Sequence, residues 1–270
     1  MIRLALKTST WNPTETEWLR AANTISEAER DRISQFMYKR DAKQSMAGRL
    51  LMRNCFSQLS GAFPESFVLS RDTSGKPYLV NPPATLTALS FNVSHAGDYA
   101  TFAGSNSAKV GVDVMKVELR RNTTVEQFFG HMKRQFTDFE WQRIRSPGSD
   151  RGKLFNFYRY WCLKESYVKA IGTGLKFGLL KIEFDIGRME DDICRTTTVA
   201  IDGVIDSDWR FEEVYLDNHF ITIAVQGEDS TREHVEDNVK VVKFDDLIVS
   251  KDMLDDEKYF FSFNEKKECP

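Results

Sequence analysis

Two side chains one helical turn apart, Glu165 and Lys169, stand in the stretch WCLKESYVKAIGTGL at 161–175. Read as a helix, it puts Tyr158, Trp161, Val168 and Gly172 at three- and four-residue spacings, with Glu165 on the same stripe. Lys169 follows on that side. A carboxylate among aromatic and aliphatic neighbours is costly to bury unless a cation or several donors meet it. The i,i+4 spacing also suits an ordinary surface ion pair. The apolar flanks argue instead for an acid and a base turned toward the inside of the molecule. Gly172 and Gly174 end the helix, and alternation resumes at Lys181.

A second carboxylate stands where β-propensity disfavours it. In KVGVDVMKV, Val110, Val112 and Val114 take one strand face and Gly111, Asp113 and Met115 the other. An acid embedded in a strand suits a metal ligand or a structural hydrogen bond, and Gly111 leaves room for a ligand or another backbone. In LSFNVSHAGDY, the strand face opposite Leu89, Phe91 and Val93 is Ser90, Asn92 and Ser94, with His95 at its end. Ser94 and His95 are strand neighbours, so they point to opposite faces, and no orienting acid accompanies them. This argues against a Ser-His-Asp triad and leaves a turn-capping histidine or a phosphate contact. Arg40 opens a helix, where anions are favoured, and Arg71 and Lys76 flank the turn in RDTSGKPYL.

The elements that must position these groups follow from periodicity. A short strand at Ile2–Lys7 precedes helices near 12–22, 26–36 and 41–59, the second opened by a Ser26/Glu29 capping box. Arg40, Lys43, Arg49 and Arg53 are expected on the exposed face of the third. Further helices are expected at 125–136, 137–144 (box Thr137/Glu140) and 155–171. Strands follow near 181–186, 196–201, 209–214 and 219–225. The fold class is α+β, antiparallel-dominated, in two comparable halves, 1–108 and 109–228. A segment 229–270 follows, with an acidic stretch, an apolar VVKFDDLIV that docks back, and a loosely held last twelve residues.

The net charge of −3 divides unevenly. Residues 228–270 carry 13 acidic and 7 basic side chains, −6, against 27 and 30, +3, in the preceding 227. So weakly basic a body does not suggest a nucleic-acid binder. No window approaches a membrane span and the N-terminus lacks an apolar signal core. Cys55, Cys162, Cys194 and Cys269 lack metal or redox spacing, so free thiols and a cytoplasmic location are expected. GTGLKFG follows a helix rather than a strand, so neither a P-loop nor a dinucleotide fingerprint applies.

Five blocks in order, the Arg40 helix, RDTSGKPYL, FNVSH, GVDVMK and WCLKESYVKAIGTGL, resemble the 4′-phosphopantetheinyl transferases of the two-half, surfactin-synthetase-activating type, in their animal-like form. The last block is highly specific, GVDV alone is weak, and their order is strong. The resemblance implies two similar halves related by a pseudo-twofold, with the active site in the cleft between them. It implies transfer of phosphopantetheine from coenzyme A to a serine of acyl- or peptidyl-carrier domains, releasing adenosine 3′,5′-bisphosphate. The carriers implied are those of fatty acid synthase and of aminoadipate-type, polyketide or peptide synthases, served by a monomer. Asp113 and Glu165 match the Mg²⁺-binding acids, Glu165 also the proposed general base, and Lys169 a cover for the pyrophosphate. Lys76, Ser94 and His95, with Asn92 in the same block, match positions that hold the nucleotide phosphates; Arg40 and Arg71 match those at the nucleotide end. Bacterial relatives carry a second acid where this chain has Met115, a poor Mg²⁺ ligand. A coenzyme A-binding module without catalysis is the alternative; loss of Asp113, Glu165 or Lys169 would favour it, and all three are present.

Overall fold

The computed structural model describes residues 1–73, 75–174, 178–227, 238–247 and 249–268. Ser74 of the RDTSGKPYL turn, Leu175 of the helical block, Ile248, Cys269 and nearly all of the acidic stretch lie outside the described residues. The chain opens with β1 (Ile2–Lys7), α1 (Glu15–Asn23), α2 (Glu27–Ser34), α3 (Lys39–Ser60), β2 (Val68–Arg71), β3 (Pro77–Val80), β4 (Ser90–Ala96) and β5 (Tyr99–Ser105). Then come β6 (Ala108–Lys116), α4 (Val125–Met132), α5 (Asp138–Arg145), α6 (Asp150–Ile171), β7 (Ile182–Asp185) and β8 (Ile193–Cys194). β9 (Thr198–Ile201), β10 (Val204–Ile205), β11 (Trp209–Leu216), β12 (His219–Gly227), β13 (Lys240–Val242) and α7 (Glu257–Asn264) complete it. The fold is mixed α and β, with mostly antiparallel sheets. Among the described residues no helix is long and apolar enough to cross a membrane.

Two compact units divide the chain. One takes Met1–Leu89, Val93–Asn106 and Asp237–Pro270, the other Ser90–Asn92 and Ser107–Glu236. In the first, the sheet runs β13-β1-β5-β4, with β1 antiparallel to β5 and parallel to β13. The inner stripe of α3, Ala42, Met46, Leu50, Cys55 and Phe56, is fully buried, as its spacing predicts. The opposite expectation, that Arg49 and Arg53 face solvent, is corrected: they are 6% and 1% exposed. Their partner comes from α2, where Glu29 completes the expected capping box with Ser26 and lies 2.6 Å from Arg53 and 3.3 Å from Arg49. The last twelve residues also differ from expectation, because α7 stacks Phe263 on Trp18 at 3.9 Å.

Glu29 carries a pH prediction. Burial pushes its carboxyl up, but Arg53, the Ser26 amide and Arg49 outweigh it and hold the pKa below the ordinary value of 4.5. A depressed folded-state pKa contributes stability that is complete above the unfolded value and lost as pH falls through the folded one. The urea midpoint should therefore decline as pH drops below about 4.5, and Glu29→Gln should flatten part of that decline. An unchanged acid slope in the variant would refute the assignment.

In the second unit, β6-β12-β11-β8 form one antiparallel sheet and β10-β9-β7 another. Helix α6 starts at Asp150, before the expected Phe155, because the Ser149 hydroxyl accepts from the Gly152 amide and caps it. It packs through Phe157, Tyr160, Leu163 and Tyr167 into a core shared with Phe129, Phe136, Trp141 and Phe211. Two buried ion pairs tie it further. Lys164 Nζ meets Glu140 at 2.8 Å and donates to the Leu179 and Ile182 carbonyls, and Arg159 grips Glu213 with two nitrogens. The Thr137/Glu140 box forms as expected, but Glu140 also serves as the buried counter-ion.

Candidate active site

Strand β6, at the edge of its sheet, pairs along its whole length with β12, setting Asp113 opposite Thr222 partway along the strand. Two residues earlier, Gly111 lets α6 lie against the strand. A Cβ there would overlap the Ser166 carbonyl oxygen and stand 2.5 Å from the Ala170 amide nitrogen. The helix backbone can approach only because that atom is missing. This approach brings the predicted trio together. Lys169 Nζ lies 2.6 Å from Asp113 Oδ1, with Asp113 buried and Lys169 about a quarter exposed at 28%.

Glu165, one turn back from Lys169, is partly buried, and its Oε1 is shielded from solvent without a hydrogen-bond partner. Burial raises its pKa, and the Asp113 carboxylate raises it further, against an opposing pull from Lys169. Cys162 completes the strip beneath Asp113. Its thiol donates to the Phe220 carbonyl at 3.4 Å, and burial followed by the Asp113 charge pushes its pKa well up, so it stays a neutral wall. Met115 lies opposite Phe220, two residues on from Asp113, and is partly buried. A carboxylate pair with a lysine beside it, held on a strand and a helix packed together, is a rigid acid-base site.

Asn92 is buried in the same unit, and its amide oxygen accepts from the Val112 amide at 3.4 Å. This bond to β6 was not legible in the sequence. The other candidates lie in the first unit. Arg40 is the second residue of α3, half exposed, with Nε 3.3 Å from Asp41. Arg71 ends β2 and donates to the Gly75 carbonyl at 2.6 Å, closing a turn in which the Lys76 amide donates to Asp72. Ser94 is buried and its carbonyl accepts from Thr101, while His95 is exposed at the strand's end. Arg71 also lines a pocket with Arg32 and Arg49, a grouping that the sequence spacing did not reveal.

The blocks gathered here have counterparts in known proteins. The family described as 4′-phosphopantetheinyl transferase, N-terminal, matches residues 9–107, and the 4′-phosphopantetheinyl transferase superfamily matches 109–224. The chain belongs to this family. It is 39% identical to the L-aminoadipate-semialdehyde dehydrogenase-phosphopantetheinyl transferase of Xenopus laevis, over all of this chain and 93% of that protein. The Homo sapiens protein of the same name is 39% identical over 86% of this chain and 76% of its own length. A phosphopantetheinyl transferase of Thraustochytrium is 36% identical over 82% and 77%. The resemblance read from the five blocks is thus borne out. As a family member the chain is a transferase that moves phosphopantetheine to carrier-protein domains, with coenzyme A as the donor. A binding module without catalysis is not favoured.

Proposed function

We propose that Asp113 and Glu165 hold Mg²⁺ for this transfer, that Glu165 takes the proton of the incoming serine, and that Lys169 faces the pyrophosphate. The observation that carries this reading is Glu165 Oε1, buried without a hydrogen-bond partner beside a second carboxylate. Such a pair calls for a cation. Both donors are hard oxygens, the set magnesium takes while keeping waters and substrate phosphates as its other ligands. Among the described residues no group of three or more acidic, histidine or cysteine side chains is placed to hold a metal. Met115 adds only a thioether, so two protein carboxylates are the expected share. When bound, Mg²⁺ would neutralise charge on the pyrophosphate and ease departure of the bisphosphate.

The chain's own residues do the rest. The serine oxygen forms a bond to the phosphorus bearing pantetheine, and the bond to adenosine bisphosphate breaks. Glu165 receives the serine proton, directly or through water. Lys169 stabilises charge on the departing oxygens. Arg40, Arg71, Lys76, Asn92, Ser94 and His95 hold the nucleotide by their match to the family's positions. Support comes from the pocket of Arg32, Arg49 and Arg71, where burial and then neighbouring arginines work against the positive charge. The pKa of Arg49 falls to about 10 and that of Arg71 is lowered as well, so an anion would be welcome there.

The carriers proposed are those of aminoadipate-type enzymes first, with fatty acid, polyketide and peptide synthases behind. A single chain would act on them in the cytoplasm, where the unpaired, buried Cys55, Cys162 and Cys194 stay reduced. The test is to weigh candidate apo-carriers after incubation with the protein, coenzyme A and Mg²⁺. Gain of one phosphopantetheine arm with equimolar release of adenosine 3′,5′-bisphosphate is expected. No gain on any carrier class would overturn the reading.

Carrier docking is proposed at the basic stretch after α4. Lys133 and Arg134 are exposed there, as are Arg120 and Arg121, while Phe128 and Met132 are half-buried beside them. Phe129 is fully buried in the core and contributes no surface. Reversing Lys133 and Arg134 to Glu should raise KM for an acidic carrier on the order of tenfold at low salt, an effect that added salt weakens. Coenzyme A affinity should not move. Normal carrier KM at low salt would rule this surface out.

A further inference from the structure

Helix α3 begins without a side-chain cap. Its N-cap residue, Tyr38, makes no capping hydrogen bond, although the first amides of a helix need partners. One partner comes from far along the chain. The Lys39 amide donates to the carbonyl of Lys267 at 2.9 Å, and the Lys267 amide donates back to Met37 at 3.1 Å. Lys39 Nζ adds an ion pair with Glu268 at 2.9 Å. Next to these, Lys266 Nζ donates to the carbonyls of Ser34 and Phe36, both at 2.7 Å. That places a cation at the C-terminal end of α2, on the carbonyl of its last residue and on one just beyond it, where the helix dipole favours it. The turn from Ser34 to Lys39 is thus fastened at both ends by residues 266–268.

The fastening is itself anchored. Phe263 stacks on Trp18, the Tyr259 hydroxyl donates to the Arg30 carbonyl, and Ser250 bonds to Thr24 and Asn23. The residue after the fastened turn is Arg40.

We infer that the C-terminal stretch from Glu265 to Glu268 is a positioning element for coenzyme A binding: it caps α3 and fixes the helix start that carries Arg40. This rests on the proposal that Arg40 grips the nucleotide. A guanidinium on a frayed first turn samples many positions, and binding must then supply the ordering. The stretch touches no reacting atom, so its loss should appear in coenzyme A affinity and leave turnover at saturating coenzyme A nearly unchanged.

The test uses a chain ending at Asn264, which keeps Phe263 on Trp18, and the full-length variant Lys266→Met as the milder lesion. Hydrogen exchange should quicken at Lys39 and its neighbours, and the calorimetric Kd for coenzyme A should rise about tenfold for the truncation and less for Lys266→Met. Arg40→Ala should weaken binding too, and the truncation should add nothing on top of it. Quickened exchange with an unchanged Kd, while Arg40→Ala does weaken binding, would overturn the positioning role alone. An Arg40→Ala protein that binds coenzyme A normally would overturn the assignment of Arg40 and this inference with it. Unchanged exchange at Lys39 in the truncated chain would refute the cap. If the truncation proves globally unstable, Lys266→Met carries the test: unchanged exchange across residues 34–39 would refute the fastening, and quickened exchange there with an unchanged Kd would overturn the positioning role.

Discussion

Glu165→Gln should fold, bind coenzyme A within about twofold of the parent, and lose transfer by a factor on the order of 10²–10³, the usual consequence of removing one electrostatic stabiliser from a reacting centre. The geometry separates these effects. Lys169 pairs with Asp113, so removing the Glu165 charge leaves that ion pair in place. Burial and the neighbouring Asp113 already make the charged form of Glu165 costly. A neutral amide of the same shape should therefore leave the melting temperature unchanged or raise it slightly. Loss of turnover together with retained or increased stability would mark a group kept for chemistry at some cost to the fold. The measurement is transfer to an apo-carrier under saturating coenzyme A, alongside a thermal melt. Near-normal turnover would sink the role assigned to Glu165, and a collapse in stability would mean that the carboxylate is a structural partner.

What was legible in the sequence was what local chemistry determines. Ser26/Glu29 and Thr137/Glu140 are read directly as boxes, because cap and acid are three residues apart and the bond closes within one turn. Strand alternation singles out Asp113, since an acid in a valine-rich strand conflicts with its surroundings whatever the fold. Less legible was anything whose partner is distant. Arg49 and Arg53 read as a solvated face, and only the packing of α2 beside α3 makes them counter-ions of Glu29. Glu140 is visible as a cap, but its pairing with Lys164 depends on how α5 meets α6. The C-terminal stretch reads as loosely held because nothing local says where the aromatic side chains of α7, Tyr259, Phe260, Phe261 and Phe263, would dock, and Phe263 finds Trp18 of α1 only through tertiary packing. The stripe through Tyr158, Trp161 and Glu165 is one face, as its spacing predicts, yet it is the half-open one. The fully buried side of α6 is Phe157, Tyr160, Leu163 and Lys164.

Gly111→Ala should be the most damaging single methyl in the second unit. The added carbon would overlap the Ser166 carbonyl oxygen and press on the Ala170 amide, both of them backbone atoms in the middle of α6. Neither can rotate away as a side chain would, so the helix must shift from β6 or the sheet must bend. Overpacking of this kind costs about 3 kcal/mol, the upper part of its usual range. The chemistry should suffer separately. Asp113 is fixed on the strand and Glu165 and Lys169 on the helix, so any displacement of α6 separates them directly. A misplacement of roughly 1 Å can cost about 10²-fold in rate. Gly130 is the control: it lies in α4, and a Cβ added there would meet nothing within 4 Å. Gly130→Ala should therefore be neutral or stabilise by about 0.5–1 kcal/mol through helix propensity alone. Urea unfolding and carrier transfer, measured on both variants, decide the matter. If Gly111→Ala matches the parent in stability and turnover, close contact between α6 and β6 is not what assembles the site, and the account of why a glycine precedes Asp113 is wrong.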